Sequence, residues 1–211
     1  EMALLQAGLP ENSKITEVFQ GKPLGLGHAI WCAREAVGNE PFAVILPDDM
    51  VLHGTGCLSQ MVEQYEQLGG NLVAIQAIPH DQTQRYGVLD PGAETGALVA
   101  IEGLVEKPAP ADAPSNLAII GRYILDPQVM EDLSAFNNGA GGEIQITDTL
   151  ANLIGKLPLH GYKFQGQRYD CGSPVGFLLA NLAFSLSQSD TGGQGDQVEN
   201  LRSVLRDITN T

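Results

Sequence analysis

The stretch FAVILPDD, Phe42 to Asp49, decides the fold. Five consecutive apolar residues opened by Pro41 have the length of a buried strand, and two carboxylates follow at its carboxyl end. That end is the edge at which open α/β sheets bind ligands. Upstream, Ile30, Ala33 and Val37 recur at helical spacing between Gly27 and Val37, so a helix feeds the strand. Downstream, Leu58, Met61, Val62, Tyr65 and Leu68 form a second helical stripe. Gly69 and Gly70 stop it, and Leu72 to Ile78 reads as the next buried strand. Strand, helix, strand is the grammar of a partly parallel sheet.

After Pro79 the pattern changes. Tyr86 to Asp90, a Pro91-Gly92 turn, Ala97 to Glu106 and Leu117 to Leu125 are strand-like with no helix between them, which turns the middle of the sheet mixed or antiparallel. Two later helices carry start signals: Asp126 before Pro127, and Ser173 before Pro174. The opening Met2 to Lys14 is a short apolar run broken by Gly8, Pro10 and Asn12, without a start methionine, and reads as the middle of something longer. Ser187 to Gln197 is rich in Ser, Asp, Gly and Gln and is expected to be loose.

With 211 residues the chain is the size of one domain, divided here into a folded unit at 1–186 and a loose acidic tail with a short helix at 187–211. Against 11 basic side chains stand 25 acidic ones, a formal charge of −14 that repels a phosphate backbone, and no basic stripe is interleaved with aromatics. Nucleic acid is therefore not an expected partner. No apolar run nears the ~20 residues of a membrane helix, and the first residues lack a secretory pattern. Cys32, Cys57 and Cys171 are an odd count at wide spacing, which fits a reducing compartment, and the cytoplasm is expected.

Several local patterns can carry chemistry. Asp48 and Asp49 suit a hard cation such as Mg2+, which takes one or two carboxylates plus substrate phosphates; a turn whose aspartate bonds backbone fits the local pattern equally. In PLGLGHA, Pro23 to Ala29, Gly25 and Gly27 can bring backbone N–H groups close to a base or phosphate. The G-x-G-x-x-G fingerprint fails at Ile30, so a plain loop is the better local reading. VEKP sets Glu106 and Lys107 side by side at a strand end, where an ammonium can hold a phosphate and a carboxylate can accept sugar hydroxyls; a surface charge pair is the alternative. Asp170 in RYDCG is either a second metal-side carboxylate or a solvated turn residue.

Taken in order, QGKPLGLGHA, FAVILPDD, YGV, VEKP, SNLAIIGRYIL, GGEIQITD and RYDCG resemble the bacterial UTP–glucose-1-phosphate uridylyltransferases, or UDP-glucose pyrophosphorylases, from Gln20 to about Leu186. The specificity lies in seven motifs at compatible spacing. The resemblance implies an α/β class fold, the three-layer α/β/α nucleotide-diphospho-sugar transferase fold with a mixed, mostly parallel sheet. The implied reaction is Mg2+-assisted uridylyl transfer from UTP to glucose 1-phosphate, giving UDP-glucose and pyrophosphate. By position it assigns Gln20 and Gly25 to the nucleotide, Gly87, Glu106, Gly121 and Glu143 to the sugar, Asp48 and Asp170 to the metal, and Lys107 with Asp48 to catalysis. Two departures stand out. Nothing before Gln20 resembles the family's glycine-rich GxGTRxxP loop, so the chain is expected to be the carboxyl-terminal two thirds of a longer enzyme, inactive by itself. Pro174 also stands where many members carry lysine. An inactive nucleotide-sugar-binding homologue, a structural subunit and a related sugar-1-phosphate nucleotidyltransferase are the alternatives. The Pro174 to Leu186 segment is apolar on more than one face, and a homo-oligomer is expected from it.

Overall fold

The computed structural model describes residues 10, 13–135, 139, 142–187 and 195–209. Most of the Met2 to Lys14 run, and residues 188–194 of the stretch expected to be loose, lie outside these. The helix before FAVIL comes in two pieces, α1 (Leu26–Cys32) and α2 (Arg34–Val37), meeting at Ala33. Strand β1 (Phe42–Ile45) follows, then β2 (Asp49–Leu52), α3 (Cys57–Leu68) and β3 (Asn71–Ala77). A 3-10 helix (His80–Arg85) leads into β4 (Gly87–Thr95), β5 (Leu98–Glu106) and β6 (Leu117–Leu125). The chain continues through α4 (Gln128–Leu133), α5 (Ile146–Leu153), β7 (Leu159–Lys163), β8 (Gln167–Asp170), α6 (Pro174–Ser187) and α7 (Gly195–Thr209).

Six strands form one sheet in the order β1-β6-β3-β7-β5-β4, and β2 with β8 forms a separate two-stranded ribbon. The period-2 alternation of strands sends side chains to two cores. Val73, Ile75, Ile119 and Tyr123 meet Ile30 of α1, Leu133 of α4 and Leu150 of α5 on one face. On the other, Leu72, Ala74, Ile120 and Ile124 meet Cys57 and Met61 of α3. Helices on both faces of the sheet make the three layers expected of this class.

The sheet corrects one expectation. Its pairings are mostly antiparallel, and β3 with β7 is the parallel pair among the described strands. The reason is an insertion: β1 and β3 run the same way, as βαβ grammar requires, but β6 lies between them and is antiparallel to both. Two further expectations shift. β1 has only β6 beside it among the described strands, so the FAVIL run is half-buried and Ile45 is 52% exposed. Pro91-Gly92 does not turn the chain but sits in irregular register within β4, where a proline is tolerated, and the hairpin reverses at Gly96 with φ 61°.

The helix signals behave as their chemistry dictates. The Asp126 Oδ1 accepts the Gln128 N–H (2.9 Å) ahead of α4, and the Ser173 Oγ accepts the Gly176 N–H (3.0 Å) at the start of α6. α6 leaves Val175, Phe177, Leu178 and Leu179 at least half exposed, and Val198 of α7 is buried. No helix among the described residues is long and apolar enough to cross a membrane. Gly70 shows why α3 must end where it does: its φ is 72°, and an added Cβ would lie 2.7 Å from the Pro158 carbonyl oxygen. Both features exclude an L side chain. Gly70→Ala is therefore expected to lower unfolding free energy by about 2 to 4 kcal/mol in a denaturant titration.

Candidate active site

The ribbon brings LPDD and RYDCG together. β2 and β8 pair antiparallel with Asp49 opposite Asp170, and the Cys171 N–H continues the pairing by donating to the Asp48 carbonyl (2.7 Å). The two adjacent aspartates then separate in role. Asp49 is buried: its Oδ1 accepts from Arg168 Nε and its Oδ2 from the Gly121 N–H (3.0 Å). Arg122 donates to the Asp49 carbonyl, and also to those of Leu46 (2.8 Å) and Gly121 (2.8 Å). Asp48 is exposed, and its carboxylate makes no hydrogen bond or ion pair with any described residue.

Asp170 is half-buried and well held. Its Oδ2 accepts from Arg85 (2.8 Å) and the Tyr86 hydroxyl (3.3 Å), and its Oδ1 from the Gly172 N–H (3.0 Å). A Cβ placed on Gly172 would lie 3.0 Å from Asp170 Oδ1 and 3.5 Å from Asp48 Oδ2, so both carboxylates border the same small space. Burial pulls the Arg168 guanidinium pKa down, but hydrogen bonds to Tyr86 and Asp49 and the Asp49 charge more than offset it, leaving it raised.

VEKP supplies the opposite wall. β5 ends at Glu106, and Lys107 takes a left-handed backbone at φ 49°, an arrangement that costs a non-glycine residue about 1 to 2 kcal/mol. The Lys107 N–H donates to the Tyr86 carbonyl (2.9 Å) and helps hold it there. Because of this turn both side chains face one cavity instead of alternating across the strand. The Thr147 hydroxyl donates to Glu106 Oε2 (2.6 Å), while Lys107 Nζ lies 3.4 Å from Oε1. Burial and the Glu106 charge raise the Asp148 carboxyl above its ordinary value.

The cavity has a volume of about 390 Å3, and Asp48, Gly87, Glu106, Lys107, Gly121, Glu143 and Asp170 all line it. Two of its glycines are dictated by close packing: a Cβ on Gly87 would lie 2.7 Å from Thr147 Oγ1, and one on Gly121 2.6 Å from Leu46 Cβ. The Gly121 N–H goes to Asp49 and its carbonyl accepts from Leu46 N (2.9 Å) and Arg122, so this residue offers space rather than a polar group. Glu143 is exposed, with Gln145 Nε2 donating to its Oε2 (2.9 Å).

Gln20 and Gly25 lie outside the lining. Gly25 is close to it: a Cβ there would be 2.9 Å from Glu143 Cβ, and the next residue, Leu26, lines the cavity. Gln20 Nε2 donates to the Gly25 carbonyl (3.1 Å) and approaches His28 Nδ1 (3.0 Å). Gly27 differs from the loop reading. Its N–H donates to the Ile144 carbonyl (2.9 Å) and a Cβ would meet that oxygen at 2.7 Å, so it serves packing and holds no donor in reserve. The sequence reading overlooked Arg168, Arg85, Tyr86 and Thr147. For Arg168 a signal existed, because residues 168 and 170 are two apart on a strand and share a face.

The sequence matches the nucleotidyl transferase family over residues 3–185. A UTP–glucose-1-phosphate uridylyltransferase of Komagataeibacter xylinus is 52% identical over 151 residues, covering 72% of this chain and 53% of that protein. The UDP-glucose pyrophosphorylase of Acinetobacter baumannii superposes with a TM-score of 0.82 at 33% identity, covering 98% of this chain and 70% of that one. A UDP-glucose pyrophosphorylase solved in complex with UDP-glucose gives 0.75 at 42% identity, over 78% of this chain and 64% of its own. The chain thus spans about half the length of the curated relative. The chain belongs to the nucleotidyl transferase family, and its relatives there are UTP–glucose-1-phosphate uridylyltransferases.

Asp49 and Arg168 side chains are 11% and 10% exposed, so removing one partner strands a buried charge. Arg168→Ala should cost about 3 kcal/mol or more of stability, while Asp48→Asn should leave the melting temperature near wild type. Thermal unfolding followed by circular dichroism distinguishes the two.

Proposed function

We propose that the protein carrying these residues transfers the uridylyl group of UTP to glucose 1-phosphate, forming UDP-glucose and releasing pyrophosphate. The observation that carries this reading is one cavity holding the unbonded Asp48 carboxylate, the Lys107 ammonium and the hydroxyl-anchored Glu106. Relatives named for this activity support it, as does the neighbour solved with UDP-glucose.

A phosphate oxygen of glucose 1-phosphate attacks the α-phosphorus of UTP; the new P–O bond forms as the bond from the α-phosphorus to the bridging oxygen of pyrophosphate breaks. No covalent intermediate on the protein is required, so the protein's work is positioning and charge compensation. Lys107 holds the sugar phosphate. Glu106, its Oε2 fixed by Thr147, accepts sugar hydroxyls, with Glu143 on the same side. Gly87 and Gly121 leave room for the ring. Gln20 Oε1 and the Gly25 N–H, neither bonded to a described residue, form an acceptor and donor pair that complements the N3–H and a carbonyl of uracil.

The donor set fits Mg2+. Asp48 and Asp170 border one space, and no group of three or more metal-ligating side chains is present among the described residues. That matches a cation completing its shell with phosphates and water. Bound there, Mg2+ would neutralise phosphate charge as a Lewis acid. The three free cysteines fit a reducing compartment, and the reading places the protein in the cytoplasm. The exposed apolar face of α6 is the surface proposed for self-association, and Leu178→Asp should lower the sedimenting mass if it is.

The direct test is Mg2+-dependent pyrophosphate release from UTP and glucose 1-phosphate by the full-length protein carrying these residues; no turnover by it would sink the reading. Asp48→Asn should abolish most of that turnover at unchanged stability. Lys107→Ala should lower turnover and raise the glucose 1-phosphate requirement at least about tenfold, since a charge-assisted hydrogen bond contributes about 1.5 to 3 kcal/mol. Lys107→Arg should rescue only in part, because a planar guanidinium places the phosphate differently. Steady-state kinetics of both variants decides between these outcomes.

A further inference from the structure

We propose that His28 is a positioning residue that sets base selectivity, by holding the Gln20 amide in the one orientation that leaves its carbonyl oxygen for the nucleobase. The inference rests on the reading of Gln20 and Gly25 as the nucleotide-binding pair.

The chemistry of the partners fixes the orientation. The Gly25 carbonyl can only accept, so the Gln20 atom 3.1 Å from it must be the amide nitrogen. That nitrogen has one further hydrogen, and His28 Nδ1 lies 3.0 Å away. An imidazole nitrogen accepts only when it carries no proton, so this contact requires Nδ1 to be the bare nitrogen of the ring. Both amide hydrogens are then committed, and Oε1 is the polar atom of this half-buried side chain without a partner among the described residues. A flipped amide would set Oε1 against the Gly25 carbonyl and, unless the imidazole proton moved to Nδ1, against His28 Nδ1 as well.

The imidazole is itself held. His28 lies in α1 three residues after Gly25, the residue preceding that helix, and its ring stacks on Trp31 with centroids 6.4 Å apart and planes 21° from parallel. The Arg34 guanidinium lies 3.8 Å from the Trp31 ring centroid. Gln20 Oε1 therefore presents a fixed acceptor. Uracil offers a donor at N3, whereas cytosine offers an acceptor there, and two acceptors face to face leave both unpaired. Thymine carries the same N3–H as uracil, so the device separates uridine from cytidine nucleotides and not from thymidine ones.

The test is calorimetric titration of the protein with UDP-glucose and CDP-glucose, reading the ratio of the two Kd values. Wild type should prefer UDP-glucose. In His28→Leu the Gly25 carbonyl alone holds the amide, which then turns its nitrogen toward cytosine N3 more readily, and the ratio should fall at least about tenfold. His28→Asn, whose Oδ1 can take the place of Nδ1, should keep most of the preference. His28→Gln, with its acceptor one atom further out, should lose it as His28→Leu does, and supplies the same readout if the leucine variant unfolds. An unchanged ratio in His28→Leu or His28→Gln, alongside a reduced one in Gln20→Ala, would overturn positioning by His28 and leave Gln20 as the base reader. An unchanged ratio in Gln20→Ala would instead overturn the reading of the nucleotide pair itself.

Discussion

The Asp49 carboxylate holds the site together. One oxygen takes the Arg168 guanidinium from β8, the other takes the Gly121 N–H from β6, and its own backbone lies in β2. The β2–β8 ribbon has only four residue pairs, and a two-stranded ribbon of that size is marginal by itself. Joined to β6, the central strand of that part of the sheet, it becomes a rigid edge carrying Asp48 and Asp170. A buried ion pair contributes little net stability once its desolvation is counted, but it is costly to break, and that asymmetry suits a geometric constraint. The same arrangement explains why two adjacent aspartates differ: one is spent on structure, and the other has a carboxylate unbonded to any described residue.

Each basic side chain that lines the cavity already has an acidic partner. Lys107 faces Glu106 at 3.4 Å, Arg85 donates to Asp170, and Arg168 is committed to Asp49. A polyanion entering this space meets cations that already have partners, together with the unneutralised Asp48. In the proposed reading, such a lining would discriminate against anions arriving alone and favour a phosphate accompanied by a divalent cation, because the cation would turn the Asp48 charge from a repulsion into a ligand. The left-handed backbone at Lys107 belongs to the same design. Without it Glu106 and Lys107 would stand on opposite faces of β5, and one of them would be lost from the cavity.

The sequence disclosed what short-range chemistry controls. The helix stop at Gly69-Gly70, the capping by Asp126 and Ser173, and the strands β1, β3, β5 and β6 all follow from spacing and residue type over a dozen positions or fewer. What it concealed is long-range. No local pattern tells that β6 inserts between β1 and β3, and that insertion is why the sheet is mostly antiparallel in its pairings. Nor could four-residue strands such as β2 and β8 announce their pairing across more than a hundred intervening residues. The pairing of Arg168 with Asp49 was hidden for that reason, since the two lie 119 positions apart. Motif order placed most of the candidate residues around one cavity, but it could not say that Gly27 and Gly121 would spend their N–H groups on the fold.

The loop from Gln20 to Gly25 and the sugar side of the cavity are coupled through one backbone segment. The Ile144 N–H donates to the Leu24 carbonyl (2.7 Å), and the Gly27 N–H donates to the Ile144 carbonyl (2.9 Å), so the loop is tied on both sides of Gly25 to the residue after Glu143. Two short hydrogen bonds about one residue fix the separation between the proposed base-reading pair and the glutamates near the sugar. In the proposed reaction that separation must match the span of one nucleotide-sugar, and the attacking oxygen must reach the α-phosphorus within it. Gly27 is the residue that permits so close an approach, because any Cβ there would push Ile144 away. The glycine-rich loop thus acts less as a phosphate cradle than as a hinge pin, setting where the proposed base-reading pair stands relative to Glu143.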